Sequence, residues 1–284
     1  MSKSGVGLLD VLELEQVEHN IYKGRNRDIG TDRIYGGQVL AQSLVAASGT
    51  VAEDRPIHSM HGYFILPGDL EAPAVYFVDR LRDGGSFATR RVTAIQHGRA
   101  IFTMSASFHR AEEGVEHQAS MPEVPGPEGL TSEVELLRGM KDRIPEHLRE
   151  VLTQDRPLDI RPVHPLDPFD PEPRPPVRHV WLRAGSPVTV DLHHRAILAY
   201  ASDYGLLGAA LQPHGLTFRH RDVMVASLDH ALWFHRPFRV DEWLLYVMES
   251  PATVGARGFA RGTFFTRDGV LVASVAQEGL VRSL

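Results

Sequence analysis

The most chemically suggestive stretch of the chain runs from Val223 to Pro237, where three polar residues interrupt an apolar pattern that alternates like a β-strand. They are a hydroxyl (Ser227), a carboxylate (Asp229) and an imidazole (His230), the groups of a nucleophile, an orienting acid and a base. Strand alternation, however, places Ser227 and His230 on opposite faces. The surrounding residues also lack the Gly-x-Ser-x-Gly pattern of a nucleophile elbow. We therefore predict that Ser227 is no nucleophile and that Asp229 and His230 support the structure.

A second carboxylate, Asp203, lies upstream in a helix-like apolar pattern. Steps of three and four residues align it with Ala196, Ala199, Leu207 and Ala210. A carboxylate on such a face loses hydration, which should raise its pKa and suit it as a general base. If residues 202–205 form a turn instead, Asp203 would cap the next helix. The pattern leaves both interpretations open.

An amide, Gln277, interrupts the apolar face of a strand-like run from Leu271 to Gly279. A buried amide must be hydrogen-bonded. Gln277 could hold a water or a substrate carbonyl in place, or it could satisfy a neighbouring loop. The sequence does not decide between these roles.

The fifteen histidines form no His-Glu-x-x-His motif, and their close pairs have no carboxylate at ligand spacing. The chain has no cysteine, which excludes disulfides, thiolate zinc sites and cysteine nucleophiles. It also lacks a Walker loop and a Gly-x-Gly-x-x-Gly motif after a strand. We expect neither a metal nor a cofactor.

Composition limits the partners. The formal net charge is -6 and the pI is about 6.2, which argues against nucleic acid as a partner. The opening residues lack the apolar core of a signal peptide. No apolar run approaches the ~20 residues of a membrane span. We expect a cytoplasmic protein.

Periodicity predicts the same succession of elements twice. Gly36 and Gly37 stand at the start of the first helix, where the backbone must turn or approach a neighbour closely. A strand over 17–22 precedes the first set, which is a helix over 39–47 and strands over 57–66, 74–79 and 87–108, the last with a turn at 97–98. A strand over 177–182 precedes the second set, a helix over 192–211 and strands over 222–234, 242–249, 256–266 and 271–281.

The two sets form an internal repeat. An offset of 170 residues without gaps pairs Tyr63 with Trp233, Phe64 with Phe234, Pro67 with Pro237, Glu71 with Asp241, Tyr76 with Tyr246, Gly85 with Gly255, Arg91 with Arg261 and Ile101 with Leu271. Twelve of the nineteen prolines fall between them, at 122–176, around one helix-like piece over 132–152. We predict an N-terminal repeat over 1–111, a connector over 112–176 and a C-terminal repeat over 177–284.

The same offset shows where the halves differ. Ser227 corresponds to Ile57, and Gln277 corresponds to Ser107. The polar residues of the second copy have no full counterpart in the first. We infer a single working site, carried mainly by the C-terminal half.

Several strings in both halves resemble the acyl-CoA thioesterase II family. They include YGGQVL at 35–40, HSMHGYFILPGD at 58–69, SLDHALWFHRPF at 227–238, EWLLY at 242–246, ARGFARG at 256–262 and QEG at 277–279. The resemblance covers most of the chain, with the connector as the least characteristic part. It implies an α+β double hotdog fold, in which each of two repeats wraps an antiparallel sheet around a long helix and the sheets join side by side.

The resemblance also implies hydrolysis of fatty acyl-CoA to free acid and CoA, and we expect an acyl chain of medium to long length. The family's catalytic Asp, Ser or Thr, and Gln fall on Asp203, Ser227 and Gln277. We expect direct attack by water, with backbone N–H groups near Gly36 and Gly37 as candidate oxyanion donors. Two sheets with exposed edges also predict a homo-oligomer.

Two alternatives stay open. A hydratase on the same scaffold would want a His shortly after its acid, whereas the first His after Asp203 is His214. A non-catalytic acyl-CoA binding module would bind the ligand without turnover.

Overall fold

The computed structural model describes residues 7–220 and 222–284. Its α-helices are α1 (Leu8–Leu12), α2 (Gly36–Ser48), α3 (Glu133–Gly139), α4 (Glu146–Thr153), α5 (Asp191–Ser202) and α6 (Gly208–Leu211). Its strands are β1 (Glu15–Glu18), β2 (Ile21–Gly24), β3 (Ile57–Phe64), β4 (Ala74–Asp83), β5 (Phe87–Gln96), β6 (Arg99–His109), β7 (Leu158–Pro162), β8 (Val177–Ala184), β9 (Val223–Ser227), β10 (Asp229–Phe234), β11 (Leu244–Val254), β12 (Arg257–Thr266) and β13 (Leu271–Ser283). None of the helices among the described residues is both long and apolar enough to cross a membrane.

Contacts group the chain into two compact units. The first contains residues 1–117, 188–204 and 229–235, and the second contains 118–187, 205–228 and 236–284. Each unit is built from three separate segments, so the chain passes between the units several times. The predicted boundaries of the repeats and the connector stay a prediction.

The first unit is a sheet packed on helices. Its antiparallel strands run in the order β1-β2-β4-β5-β6-β3-β10. Helix α2 lies against this sheet and also packs against α5. Leu40 and Leu44 of α2 are fully buried, and so are Gln42 and Ser43, so this helix is covered on several faces.

The second unit has its own antiparallel sheet. The strand order is β9-β13-β12-β11-β8-β7, in which the connector strand β7 is at the end and pairs with β8. An edge position suits β7, since Pro162 cannot donate a hydrogen bond to a further strand. The short helix α6 packs on β11 and β12. Trp181, Leu245 and Phe265 form part of the core of this unit.

The repeat is confirmed at the level of strands. A shift of 170 residues carries β5 onto β12 with both ends coinciding, and it carries β4 and β6 onto β11 and β13. The strand orders β4-β5-β6 and β11-β12-β13 also match. In the first unit, β3 pairs antiparallel with β10, with His61 opposite its own repeat counterpart, Ala231. Pairing of equivalent strands fits the expectation that the repeats join through their sheets.

Four predicted elements differ from the structure. The helix predicted over 192–211 is broken after Ser202, where Gly205 has a positive φ of 72°. The strand predicted over 222–234 is interrupted at Leu228, and the helix over 132–152 is interrupted before Pro145, which cannot continue a helix. The strand predicted over 17–22 is a hairpin, because the chain turns through Asn20 in the left-handed region.

Candidate active site

Ser227 and Gln277 form a hydrogen-bonded pair in the second unit. Residue 227 is the last of β9 and lies opposite Gly279 of β13, so that Gln277 is two residues along the same strand. The Gln277 Nε2 donates to the Ser227 Oγ at 2.9 Å. Gln277 is 1% exposed and Ser227 is half-buried. The buried amide therefore fixes a hydroxyl that keeps its own proton to donate.

The bond from Gln277 to Ser227 bears on whether Ser227 is a nucleophile. A nucleophilic serine needs a base within hydrogen-bond reach of its oxygen. The partner of Ser227 is instead an amide N–H, which donates to the hydroxyl and cannot accept its proton. His230 binds elsewhere, as described below. The hydrogen bond of Ser227 is thus to an amide and not to a histidine. That Ser227 is not a nucleophile stays a prediction.

Asp203 lies at the end of a helix and not within one. It is the C-cap of α5, with φ −79° and ψ −14°, and it is half-buried. The prediction that this carboxylate lies inside a continuous helix is therefore wrong. The alternative role as the N-cap of the following helix is also wrong, because α6 begins at Gly208 after its own N-cap, Leu207.

The carboxylate of Asp203 lies close to the N-terminus of α2 in the first unit. A Cβ at position 36 would lie 2.8 Å from the Asp203 Oδ2 and 3.0 Å from the Phe64 ring. Gly36 is the first residue of α2, and the first N–H groups of a helix have no intrahelical acceptor. The absence of a side chain at Gly36 thus brings a helix N-terminus against a carboxylate.

The missing side chain of Gly37 makes room for a different neighbour. A Cβ at this position would collide with the main-chain oxygen of Tyr200 in α5 and with the Tyr35 ring. The Tyr35 hydroxyl donates to the same Tyr200 oxygen at 3.0 Å. Gly37 therefore permits close packing of α2 on α5, the helix that ends at Asp203.

A buried hydrogen bond anchors the residue before Asp203. The Ser202 Oγ lies 2.8 Å from the His230 Nε2 and 2.9 Å from the Ala199 oxygen, to which it donates. Ser202 is 0% and His230 1% exposed. Burial lowers the pKa of His230 to about 3, so that the ring is neutral at pH 7.

The loop after Asp203 is anchored in the second unit. The Arg178 Nη1 donates to the Gly205 oxygen at 2.8 Å. The same nitrogen occupies the space that a Cβ at Gly208 would need. The break between α5 and α6 is thus packed around one guanidinium, which explains why two glycines interrupt an otherwise helical sequence.

The repeat counterparts in the first half carry no equivalent pair. Ile57 is an apolar core residue, and Ser107 binds the His58 Nε2 at 2.8 Å.

No group of three or more His, Cys, Asp or Glu residues is arranged to hold a metal ion in the described part of the chain.

The structure thus brings Ser227 and Gln277 together, and it places Asp203 beside Gly36. Sequence reasoning missed two neighbours of Asp203, namely Phe64 and the hydroxyl of Ser202. In the sequence, Phe64 was noted only as the repeat counterpart of Phe234. The Ser202–His230 bond joins residues 28 positions apart, and no local pattern marks it.

Comparison with known proteins defines the class. A crystal structure of an acyl-CoA thioesterase II from Mycobacterium marinum matches with a TM-score of 0.79 and 41% identity, covering 97% of this chain and 98% of that one. A hot dog fold protein of unknown function from Alicyclobacillus acidocaldarius matches with a TM-score of 0.78 at 20% identity, covering 97% of each chain. The second match concerns the fold alone. The fold is a double hotdog, as the repeat and the resemblance predicted.

Family models cover both halves, with "Acyl-CoA thioesterase N-terminal domain" at residues 24–109 and "Acyl-CoA thioesterase" at 148–280. Acyl-CoA thioesterase 2 of Haemophilus influenzae is 39% identical, over 97% of this chain and 96% of its own. Acyl-coenzyme A thioesterase 8 of Homo sapiens is 41% identical, over 96% of this chain and 88% of its own. The chain belongs to the acyl-CoA thioesterase family.

Proposed function

We propose that this protein hydrolyses fatty acyl-CoA of medium to long chain by direct attack of water on the thioester carbonyl. Hydrolysis of acyl-CoA follows from membership of the family. The chain length and the route of attack are the further parts of the proposal. The observation that carries the route is the donation from Gln277 to Ser227, which leaves the hydroxyl bound by an amide and not by a base.

In the proposed mechanism, Asp203 accepts a proton from the water as the water attacks. Ser227 and Gln277 orient that water by hydrogen bonds, since each has a polar atom able to accept or donate. Positioning of this kind is worth several kcal/mol of barrier lowering, up to about 7–11 kcal/mol in favourable cases. The attack yields a tetrahedral oxyanion, which collapses with loss of the CoA thiolate. The thiolate then takes up the proton.

The oxyanion needs hydrogen-bond donors. We assign this role to the first N–H groups of α2, at Gly36 and Gly37. Support comes from the contact between Gly36 and the Asp203 carboxylate, because the base and the donors must both reach the reacting carbonyl. The positive end of a helix dipole also favours negative charge at this place.

The test follows release of free thiol from acyl-CoAs of graded chain length, for the parent protein and Asp203→Asn. Asn keeps the shape of Asp but is no base, so kcat should fall by about 10³-fold or more with the far-UV spectrum and the melting temperature preserved. Undiminished turnover in Asp203→Asn would remove Asp203 from the role. Binding of acyl-CoA without thiol release by the parent protein would indicate a binding module, and water addition to an enoyl-CoA would indicate a hydratase.

The cytoplasmic location and a homo-oligomeric state are also part of the proposal. Fractionation of cells that express the native protein tests the location. Light scattering after size exclusion tests the state, and a mass of 31.6 kDa would contradict an oligomer.

A further inference from the structure

The hydrogen bond between Ser202 and His230 has no part in the proposed chemistry, yet it lies beside the proposed base. Ser202 is the last residue of α5 and the immediate neighbour of Asp203. His230 is the second residue of β10, three positions after Ser227. One bond between these side chains therefore joins the chain segment that carries the proposed base to the segment that follows the proposed orienting hydroxyl.

The hydrogen-bond network determines which atoms donate. A serine hydroxyl has a single proton, and that of Ser202 is donated to the Ala199 oxygen. The His230 Nε2 must therefore carry a proton and donate it to Ser202 across 2.8 Å. The other ring nitrogen, Nδ1, is buried and has no hydrogen-bond partner among the described residues. His230 is thus a neutral ring that makes one directed hydrogen bond.

These features distinguish His230 from a catalytic histidine. A general base or relay needs access to the reacting atoms and a partner that stabilises its charged form. His230 is 1% exposed and makes its one hydrogen bond to a residue beside Asp203. A buried donor that has a single acceptor holds that acceptor in one orientation, because losing the bond leaves the donor unsatisfied.

We propose that His230 is a positioning residue, which fixes the end of α5 through Ser202 and thereby sets the orientation of the Asp203 carboxylate. This proposal rests on the proposed role of Asp203. Asp203 is the C-cap of α5 and directly follows Ser202, so a change in the placement of Ser202 is passed on to the Asp203 backbone. Small errors of placement at a reacting centre are costly, and a shift of about 1 Å can reduce the rate ~100-fold.

The chain offers a matched control at the end of the other long helix. The Thr50 Oγ1 donates to the Ala47 oxygen three residues earlier at 2.8 Å, as Ser202 does to Ala199. It also accepts from the buried Arg90 Nε at 2.8 Å, as Ser202 accepts from His230. Thr50 is 7% exposed and follows α2, with no proposed catalytic residue beside it. Thr50→Val therefore removes an equivalent bond without touching the neighbours of Asp203.

The experiment measures kcat, KM and melting temperature for Ser202→Ala, His230→Phe, His230→Gln and Thr50→Val. We expect kcat to fall about 10- to 100-fold in Ser202→Ala and His230→Phe with KM within about threefold, because substrate binding is intact and only the base is misplaced. Gln can present an amide N–H where the histidine had its Nε2–H, so His230→Gln should recover most of kcat. Thr50→Val should lower the melting temperature comparably to Ser202→Ala and leave kcat within about twofold.

Equal effects of Ser202→Ala and Thr50→Val on kcat would overturn the proposal, because His230 would then act on stability alone. A rise in KM with unchanged kcat would overturn it too. These results are separate from failure of the proposed function. If Asp203→Asn keeps full turnover, the role of Asp203 fails. If Asp203→Asn is inactive but Ser202→Ala and His230→Phe are fully active, only the positioning role fails.

Discussion

The two halves of this protein place different side chains at equivalent positions of the repeat. In the C-terminal half, Gln277 of β13 donates to Ser227 of β9. In the N-terminal half, the equivalent of Ser227 is the buried Ile57, and the equivalent of Gln277 is Ser107, which binds His58. Burial and the nearby His109 lower the pKa of His58, so that this ring is neutral at pH 7.

The backbone does not account for this difference. The strand orders β4-β5-β6 and β11-β12-β13 match, and β5 and β12 coincide end to end under the 170-residue shift. The same scaffold therefore accommodates an apolar residue in one copy and an amide–hydroxyl pair in the other. Fold and chemistry are separate properties here, since the chemistry depends on a few side chains placed on a common frame.

The largest effect that separates the halves is expected from paired substitutions at positions 277 and 107. Gln277→Ala removes the amide that holds Ser227, and we expect kcat to fall about 10²- to 10³-fold, the usual loss for one oriented hydrogen-bonding group in an active site. Ser107→Ala removes the equivalent side chain of the first half and should leave kcat within about twofold. Thiol release at saturating acyl-CoA measures both. Comparable losses in the two variants would show that both halves carry working sites.

A smaller effect is expected at Gly36. Ala is a better helix former than Gly, by up to about 1 kcal/mol in a helix interior, so the stability of Gly36→Ala should not fall through helix propensity. The added Cβ would meet the Asp203 Oδ2 at 2.8 Å and displace the carboxylate. We expect kcat to fall about tenfold or more with the fold intact.

Gly139→Ala is the control for Gly36→Ala, since it adds the same methyl group at the end of α3 into open space. Its kcat should equal that of the parent protein. If Gly36→Ala is as active as Gly139→Ala, the close approach of α2 to Asp203 has no role in the reaction.

The smallest expected effect concerns stability against pH. Burial lowers the pKa of His230 from 6.5 to about 3 in the folded protein. Below pH 6.5 the unfolded chain takes up a proton at this site that the folded protein does not. The free energy of unfolding therefore decreases as the pH is lowered. Between pH 8 and pH 5 this loss amounts to about 2 kcal/mol. His230→Gln should lose that part of the pH dependence, as urea unfolding at each pH would measure. Parallel pH curves for the two proteins would contradict a buried neutral ring.

The sequence predicted the strands well for a physical reason. Two copies of the same alternation, 170 residues apart, define most strands to within a few residues, and Gly98 and Gly269 mark the turns. The break after Ser202 was missed because apolar residues continue at helical spacing through 211. There, the packing of Arg178 on Gly205 and Gly208 overrides the local helical preference. The turn at Asn20 was missed for a similar reason, since one residue with positive φ turns a short β-like run into a hairpin.

For the candidate site, the sequence identified the candidate residues but did not predict the hydrogen bonds that position them. The amide and hydroxyl were singled out from alternation, and their bond spans 50 residues of sequence. Asp203 was predicted within a continuous helix, whereas it is the C-cap of α5. The Ser202–His230 bond could not be predicted, because it depends on how α5 packs on β10.

The central claim is that water, and not Ser227, attacks the thioester. Its most direct test is the mass of the intact protein quenched with acid during steady-state turnover of saturating acyl-CoA. The account predicts a chain of unchanged mass and no burst of thiol release before the steady state. A chain that carries one acyl group, mapped to Ser227 by peptide mass, would contradict it.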